Sequence, residues 1–497
     1  MVERNTTPLP DGQAGPARPE AVTAANTQAL PGRPAFGLLS RLWVDVHLRW
    51  VLALFLLALV LRGAWVATIN PDPMDGRFDD SLFYDRSAKA LADGEGYINF
   101  DQEPTARWPI GYSGLVASLY FVFGHNLLAP KALNVFLGAA TVVAVYLLGV
   151  RLFDRRVGLT AAALLALFPN QIFFSTLVLT EVLFAALLTL VTLLVVLWTI
   201  PPSPEANRPP AERTDPPGRA AVRLPTAEGD DQPAAYKLVV LGLLLGYGAI
   251  TRGEGGMVVV AVLLVWWLAR SDWRPFLRRI ALLLAGVVMV MAPWTIRNFI
   301  VFRAPVFVST AVGYALWQGN RADAYTPHDW GFDAKFYEEY ANVPYPRKEV
   351  EINNAEMREA LDFIVHNPGT ETGLMFKKLY HLYREDATGL EWVDHHGGQS
   401  SIPDSLEPKL ETVANSYYFV VLGWAALTVP FWFSLRDRSR FLLPLMLLVL
   451  TAAHLVFIPN PRYHFAFIPI ICVLAAQGFV VVWQRLKSAH AGAVEVL

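Results

Sequence analysis

Apolar runs long enough to cross a lipid bilayer recur along this chain, and they constrain its fold more than any other feature. A span needs roughly 20 apolar residues to cross about 30 Å of hydrocarbon at about 1.5 Å per residue. On that measure the spans are Leu48–Ile69, Lys131–Leu152, Val157–Thr176, Val182–Ile200, Tyr236–Thr251, Gly256–Leu268, Leu277–Ile296, Thr412–Leu435, Phe441–Ile458 and Phe465–Trp483. The fifth and sixth are short for a full crossing. With 54% hydrophobic and 17% charged residues in 497, and a mean hydropathy of +0.35, the composition excludes a soluble globule. The expected class is all-α, a polytopic transmembrane bundle of about ten helices whose backbone polar groups pair within each span.

The net charge of -2 hides an asymmetry of position. Arg41 and Arg49, then Arg151, Arg155 and Arg156, then Arg270, Arg274, Arg278 and Arg279, then Arg436, Arg438 and Arg440, then Arg485 and Lys487 fall on one side of the count. Basic loops stay cytoplasmic, so both termini are expected inside a cell (plasma or inner) membrane, crossed many times. Residues 1–45, rich in Pro, Ala, Thr and Gly up to about Gly37, read as a disordered cytoplasmic tail with no apolar signal core. Pro201–Gln232, within a linker ending near residue 235, reads as unstructured on the same side. Trp108–Phe123 is apolar but short, and a crossing there would invert every later loop. It therefore reads as an interfacial or re-entrant helix. The expected modules are a transmembrane catalytic part over 46–297 holding a first outer loop at 70–130, an outer helical domain over 298–411, transmembrane helices over 412–485, and a tail over 486–497. The single cysteine, Cys472, sits in an apolar run, so neither an intramolecular disulfide nor a thiolate metal cluster can form.

Phe78-Asp79-Asp80-Ser81-Leu82-Phe83-Tyr84 begins within ten residues of the end of the first span. Adjacent carboxylates just outside a membrane span point to chemistry at the membrane surface. The plainer reading is that they cap the helix starting at Ser81, because an acid there satisfies free backbone N–H groups. The two readings are compatible.

Further motifs follow in order: Ala-x-x-Leu-x-x-Gly-x-Gly-Tyr ending at Tyr97, Trp-Pro-Ile-Gly-Tyr from Trp108, Phe-Gly at Phe123, Arg-Leu-Phe at Arg151 and Leu-Thr-Glu at Leu179. Then come Thr-Arg-Gly-Glu at Thr251, Pro-Trp-x-x-Arg-Asn at Pro293 and Pro-Arg-Tyr-His at Pro461. Together with Asp80-x-x-x-Tyr84, this set resembles the membrane-embedded GT-C glycosyltransferases over about residues 45–485. That group includes the dolichyl-phosphate-mannose-dependent protein mannosyltransferases and the lipid A aminoarabinose transferases. Two departures are visible: a double-proline turn of the family is here Pro109-Ile110, and the second acid of the first loop precedes Asp80.

The resemblance implies a hexosyl- or pentosyltransferase that takes a sugar from a polyprenyl-phosphate donor to an extracytoplasmic acceptor on lipid, glycan or protein. The expected partners are that donor, the acceptor and membrane lipid, with no nucleic acid. An acceptor hydroxyl loses its proton as it attacks, and a carboxylate in hydrogen-bond reach is the usual base. Asp80 matches the family's catalytic acid, with Asp79 beside it able to share a proton, and Glu181 matches its second acid. Glu181 can equally be plain N-terminal helix charge.

The leaving phosphate needs fixed cations. Candidates are Arg297, Arg462, Arg252, Lys131 and Arg107, each of which can instead snorkel to headgroups. Tyr84, Tyr463 and His464 are substrate-binding candidates by their place in the motifs. Glu254 reads as a partner for Arg252. A divalent metal is left open, with Asp80, Glu181, His395 and His396 as candidate ligands, although adjacent histidines are more often surface residues. The alternative function is a transporter or flippase of lipid-linked sugars. It predicts internal repeats and midplane charges, whereas here the acids sit at span ends. A scaffolding subunit without activity is a third reading, and it predicts that Asp80 is dispensable.

Overall fold

The computed structural model describes residues 46–71, 80–200, 233–269, 272–324, 334–395, 402–429 and 438–494. The expected tail 1–45, the linker Pro201–Gln232, Asp79 and His396 lie outside the described residues. Among the described residues all regular structure is helical, apart from one isolated bridge between Ile98 and Pro104.

The first half contains α1 (Val46–Thr68), α2 (Asp80–Asp93), α3 (Ile110–Phe123), α4 (Leu128–Leu152), α5 (Arg155–Ala166), α6 (Pro169–Phe173), α7 (Glu181–Thr199), α8 (Ala235–Thr251), α9 (Gly255–Ala269) and α10 (Trp273–Phe302). Then follow α11 (Val312–Gly319), α12 (Ala334–Glu339), α13 (Arg347–His366), α14 (Pro368–Tyr383) and α15 (Thr388–His395). The chain closes with α16 (Glu407–Ala426), α17 (Arg438–Val456), a 3-10 turn (Pro461–Phe467) and α18 (Ile468–Val494). Among the described residues five helices are long and apolar enough to cross a membrane: α1, α4, α7, α10 and the stretch Pro461–Ser488 that holds α18. The bent pair Arg155–Ala166 and Pro169–Thr176 passes the same test together, as a broken span or a re-entrant loop, and α3, α8, α9 and the Phe441–Val456 part of α17 are shorter apolar helices.

The stretch read from the sequence as the span Val157–Thr176 is bent by 58° between Arg155–Ala166 and Pro169–Thr176. Pro169 opens α6 without a backbone N–H, and Phe168 before it takes extended backbone, φ -69 and ψ 113. Arg62 of α1 fills the break. Its side chain is fully buried, with Nη1 3.3 Å from the Ala166 oxygen and Nη2 3.3 Å from the Leu165 oxygen. Carbonyls released by a helix end thus find donors inside the bundle, which is the condition for irregular backbone at membrane depth. The turn that follows α6 delivers Thr180 and Glu181 to the head of α7.

Small residues set how closely helices cross. A Cβ added at Gly242 of α8 would stand 2.1 Å from the Leu283 oxygen of α10, and one added at Gly286 would stand 2.4 Å from the Val239 oxygen. This crossing requires glycine on both sides, the small-residue packing expected where lipid supplies no hydrophobic drive between helices.

The region after α10 is tied to the first loop through Glu349 of α13. Its Oε2 accepts from Thr105 Oγ1 at 2.8 Å. Its Oε1 accepts from the Ala106 N–H at 2.8 Å and from the Thr310 hydroxyl. Arg297 of α10 reinforces the joint by donating to the carbonyls of Thr105 (2.8 Å) and Tyr97 (3.0 Å). The result is a braced wall behind Trp108.

Candidate active site

Five segments converge on one charged cluster: the start of α2, the start of α7, the turn between α8 and α9, the 3-10 turn, and α15. Asp80 is the first residue of α2. Its Oδ1 accepts from the Trp108 indole N–H at 3.1 Å, and its Oδ2 accepts from Arg462 Nη2. Glu181, 2% exposed at its side chain, accepts from Arg252 Nη1 at 2.8 Å and faces Arg462 Nε at 3.5 Å. Arg252 also donates to Thr180 Oγ1 at 2.9 Å and pairs with Glu254 at 3.2 Å. Two arginines are therefore bridged by Glu181 and held from outside by Asp80 and Glu254.

Local sequence explains the placement of these groups. Asn460 Oδ1 accepts from the Arg462 N–H at 2.9 Å, which caps the 3-10 turn and fixes the direction of the arginine. Trp392 of α15 covers the guanidinium 4.4 Å away, a cation–π contact in a partly desolvated site. Trp108 is held flat on Phe83, with ring centroids 4.0 Å apart. Gly111 allows the close approach of α3 to the turn carrying Arg252, since a Cβ there would stand 2.6 Å from the Ile250 oxygen.

Burial alone would push the Asp80 carboxyl up, but the charge and hydrogen bond of Arg462, the Trp108 N–H and the charge of Arg252 outweigh it. The carboxyl stays below its ordinary range. The same competition at Glu254, burial against the Arg252 charge, ends at about 2. Both acids are carboxylates at neutral pH. One group in the cluster is underused: Nη1 of Arg462 is buried and makes no hydrogen bond among the described residues.

The structure brings together Asp80, Glu181, Arg252 and Arg462, with the Tyr463 ring 5.1 Å from the Arg252 guanidinium. It pairs Arg252 with Glu254 as read from the sequence. Tyr84 is buried on α2 against Tyr112, where Asp80 and Glu181 both act on it electrostatically.

Other candidates are occupied with structural duties. Arg297 holds loop carbonyls, as described above. Arg107 Nη1 donates to the Tyr337 hydroxyl at 2.8 Å and lies over the rings of Trp108 and Tyr314. Lys131, 1% exposed, donates to Asn70 Oδ1 at 2.5 Å and the Pro71 oxygen at 2.7 Å. His464 is fully buried, with Nδ1 2.6 Å from the Leu382 oxygen and Nε2 3.2 Å from Asp386.

His395 ends α15, and its side chain lies outside the described residues. Among the described residues no three His, Cys, Asp or Glu come together in a way that could hold a metal. Asp80 and Glu181 face arginines, and the side chains of the other two candidate ligands, His395 and His396, lie outside the described residues. Sequence reasoning missed Trp108 as a donor, Trp392 as a cover and Asn460 as a cap. Of these only Asn460-Pro461 carried a local signal, an Asx cap before a proline. A cavity of about 550 Å³ lies elsewhere, lined by Trp317, Asn320, Lys335, Glu359 and Phe363.

No protein-family model and no curated relative matches the chain. Solved structures do match. The oligosaccharyltransferase of Archaeoglobus fulgidus in its apo form is similar over 91% of this chain and 53% of its own, with TM-score 0.51 and 16% identity. The archaeal oligosaccharyltransferase AglB from Archaeoglobus fulgidus, in complex with an inhibitory peptide and a dolichol-phosphate, is similar over 89% of this chain and 51% of its own, with TM-score 0.48 and 15% identity. ArnT from Cupriavidus metallidurans bound to undecaprenyl phosphate is similar over 84% and 77%, with TM-score 0.38 and 17% identity. At these identities the likeness is one of fold. This chain spans about half the length of the oligosaccharyltransferase chains. Its fold is similar to that of the Archaeoglobus fulgidus oligosaccharyltransferase in its apo form.

Proposed function

We propose that this protein is a membrane glycosyltransferase that moves a hexosyl or pentosyl group from a polyprenyl-phosphate carrier to an extracytoplasmic hydroxyl or amine. Asp80 is the general base, and Arg462 and Arg252 receive the phosphate. The observation that carries the reading is the contact of a carboxylate at a helix start with an arginine that keeps a buried, unused N–H. One group suits proton removal and the other suits a departing anion. The shared fold supports the reading only as analogy, because one fold hosts many activities.

In the reaction the acceptor O–H or N–H gives its proton to Asp80 as the oxygen or nitrogen bonds to the anomeric carbon. The bond from that carbon to the phosphate oxygen breaks, and its electron pair leaves on the phosphate. Charge-assisted, bidentate geometry suits a guanidinium to that anion. Before the donor arrives, Arg462 is engaged with Asp80, which keeps the base weak. An incoming phosphate competes for the guanidinium. As Arg462 turns toward it, Asp80 loses its counter-charge, its pKa rises, and it becomes a better base. Donor binding thereby arms the base, so the donor binds before the acceptor reacts.

The test is transfer by purified protein in lipid from a panel of radiolabelled polyprenyl-phosphate sugars, with membrane extract supplying the acceptor. At least one donor should lose its sugar to extract in an Arg462-dependent way. Binding of the donors without transfer, together with movement of donor across the bilayer, would favour the transporter reading.

A further inference from the structure

Helix α14 divides its circumference into three sectors, successive residues stepping by about 100°. Glu371, Leu374, Lys378 and Leu382 form the buried sector. Next to it, Met375, Phe376, Leu379 and Tyr380 form an apolar sector that is 40%, 72%, 41% and 67% exposed. Lys377 and Arg384, both exposed, line the far edge of that sector. Four large apolar side chains on one helical face form a patch that water does not favour, and such patches mark a binding surface.

The position of the helix identifies what covers the patch. Lys378 Nζ donates to the Leu455 oxygen at 3.0 Å, and the Tyr383 hydroxyl shares a hydrogen bond of 2.6 Å with Thr451 Oγ1. Both partners belong to the last turns of α17, within its apolar stretch Phe441–Val456. Leu448 and Val456 of that stretch are themselves 62% and 44% exposed. These two hydrogen bonds set α14 beside the end of an apolar helix that itself carries exposed apolar side chains. Lys378 is also held by Glu371 Oε1 at 2.8 Å and Asn320 Oδ1 at 2.5 Å, so the helix cannot roll away from this register.

We propose that α14 lies in the boundary between headgroups and acyl chains of the phospholipid leaflet on the active-site side. Met375, Phe376, Leu379 and Tyr380 enter the acyl region, while Lys377 and Arg384 reach lipid phosphates. An apolar face flanked by basic residues is the pattern of an interfacial helix, and long basic side chains extend to the headgroups from its edge. The placement has a consequence for the site. The carbonyl of Leu382 accepts from His464 Nδ1 at 2.6 Å, that of Tyr383 accepts from the Tyr418 hydroxyl at 3.2 Å, and the chain then enters α15 with Trp392 above Arg462. The leaflet thus anchors the wall of the cluster that covers Arg462. This inference does not depend on the transfer reaction.

The test uses the full chain in phospholipid bilayer discs with an environment-sensitive fluorophore at Phe376→Cys, Tyr380→Cys or Lys377→Cys. Cys472 is fully buried, and the unsubstituted protein is the labelling blank. Probes at 376 and 380 should emit at shorter wavelength than in water, lose most emission to lipids bearing a nitroxide on the upper acyl chain, and resist aqueous iodide. The probe at 377 should respond to both quenchers. Iodide quenching at 376 and 380 without response to the lipid nitroxide would overturn the proposal, because that face would be in water. Shielding from both quenchers would overturn it in favour of a protein partner or a second copy of the chain.

Discussion

Arg462 in the 3-10 turn donates from Nη2 to Oδ2 of Asp80 at the start of α2, joining residues 382 apart in sequence. The contact makes the two ends of the chain parts of one site. It also sets the protonation of Asp80, because burial and counter-charge act on that carboxyl in opposite directions and counter-charge prevails.

Trp108→Phe keeps the stack on Phe83 and removes only the indole N–H that Asp80 Oδ1 accepts. A hydrogen bond to the charged form lowers a carboxyl pKa, so its loss raises that of Asp80. The acid limb of transfer activity should move to higher pH with little change in donor affinity. An unmoved limb would show that the indole does not tune the base.

Glu181 and Arg252 form a pair whose side chains are 2% and 10% exposed. Removing one partner of such a pair leaves a charge stranded and costs about 3–5 kcal/mol. Glu181→Gln and Arg252→Met should each lower thermal stability in detergent by that order. The double variant should lose clearly less than the sum of the two, because neither charge is then stranded. Additive losses would show the pair to be uncoupled.

Glu349→Ala strips acceptors from the Thr105 hydroxyl, the Ala106 N–H and the Thr310 hydroxyl, at about 1–3 kcal/mol for each buried group left unsatisfied. Amide exchange should accelerate at Ala106. The conservative Glu349→Gln isolates a pH effect. Burial outweighs these hydrogen bonds and raises the Glu349 carboxyl above its ordinary value, so the folded state holds the proton more tightly than the unfolded one. Stability from this group is full below the unfolded value and falls as pH rises through the window up to the folded value. That slope should vanish in Glu349→Gln.

Glu254 has the opposite sign. Its carboxyl is brought from 4.5 down to about 2, so its contribution is present above about 4.5 and is lost as pH falls toward about 2. Thermal unfolding against pH should show a steeper acid loss for the unsubstituted protein than for Glu254→Gln. Parallel curves would place the Arg252–Glu254 pair outside the stability balance.

Much of the bundle was legible because length and hydropathy are local properties: α1, α4, α7 and α10 fall where apolar runs do. The break between α5 and α6 escaped the span count although Pro169 marked it, because an apolar run reads as continuous unless the donor that fills its break is known. That donor, Arg62, lies on another helix. Asp80, Glu181, Arg252 and Arg462 were legible one by one as charges at span ends, but their meeting was not, since it depends on how distant helices close together. Arg297 shows the limit of motif reading. Its place at a span end suits a phosphate, yet its actual acceptors, the carbonyls of Tyr97 and Thr105, exist only once the first loop has folded. Trp392 carried no signal, because a tryptophan near a helix end has many uses and covering Arg462 is a tertiary event.

The most direct test of the central claim compares Asp80→Asn with the unsubstituted protein, measuring donor binding and sugar transfer in the same lipid preparation. Asparagine keeps the shape of the side chain and can still accept from Trp108, but it cannot take a proton at neutral pH. Donor should remain bound while transfer drops by the roughly 10²–10⁴-fold that a general base contributes. Equal transfer by Asp80→Asn would contradict the assignment of Asp80 as the base and return the cluster to a structural role.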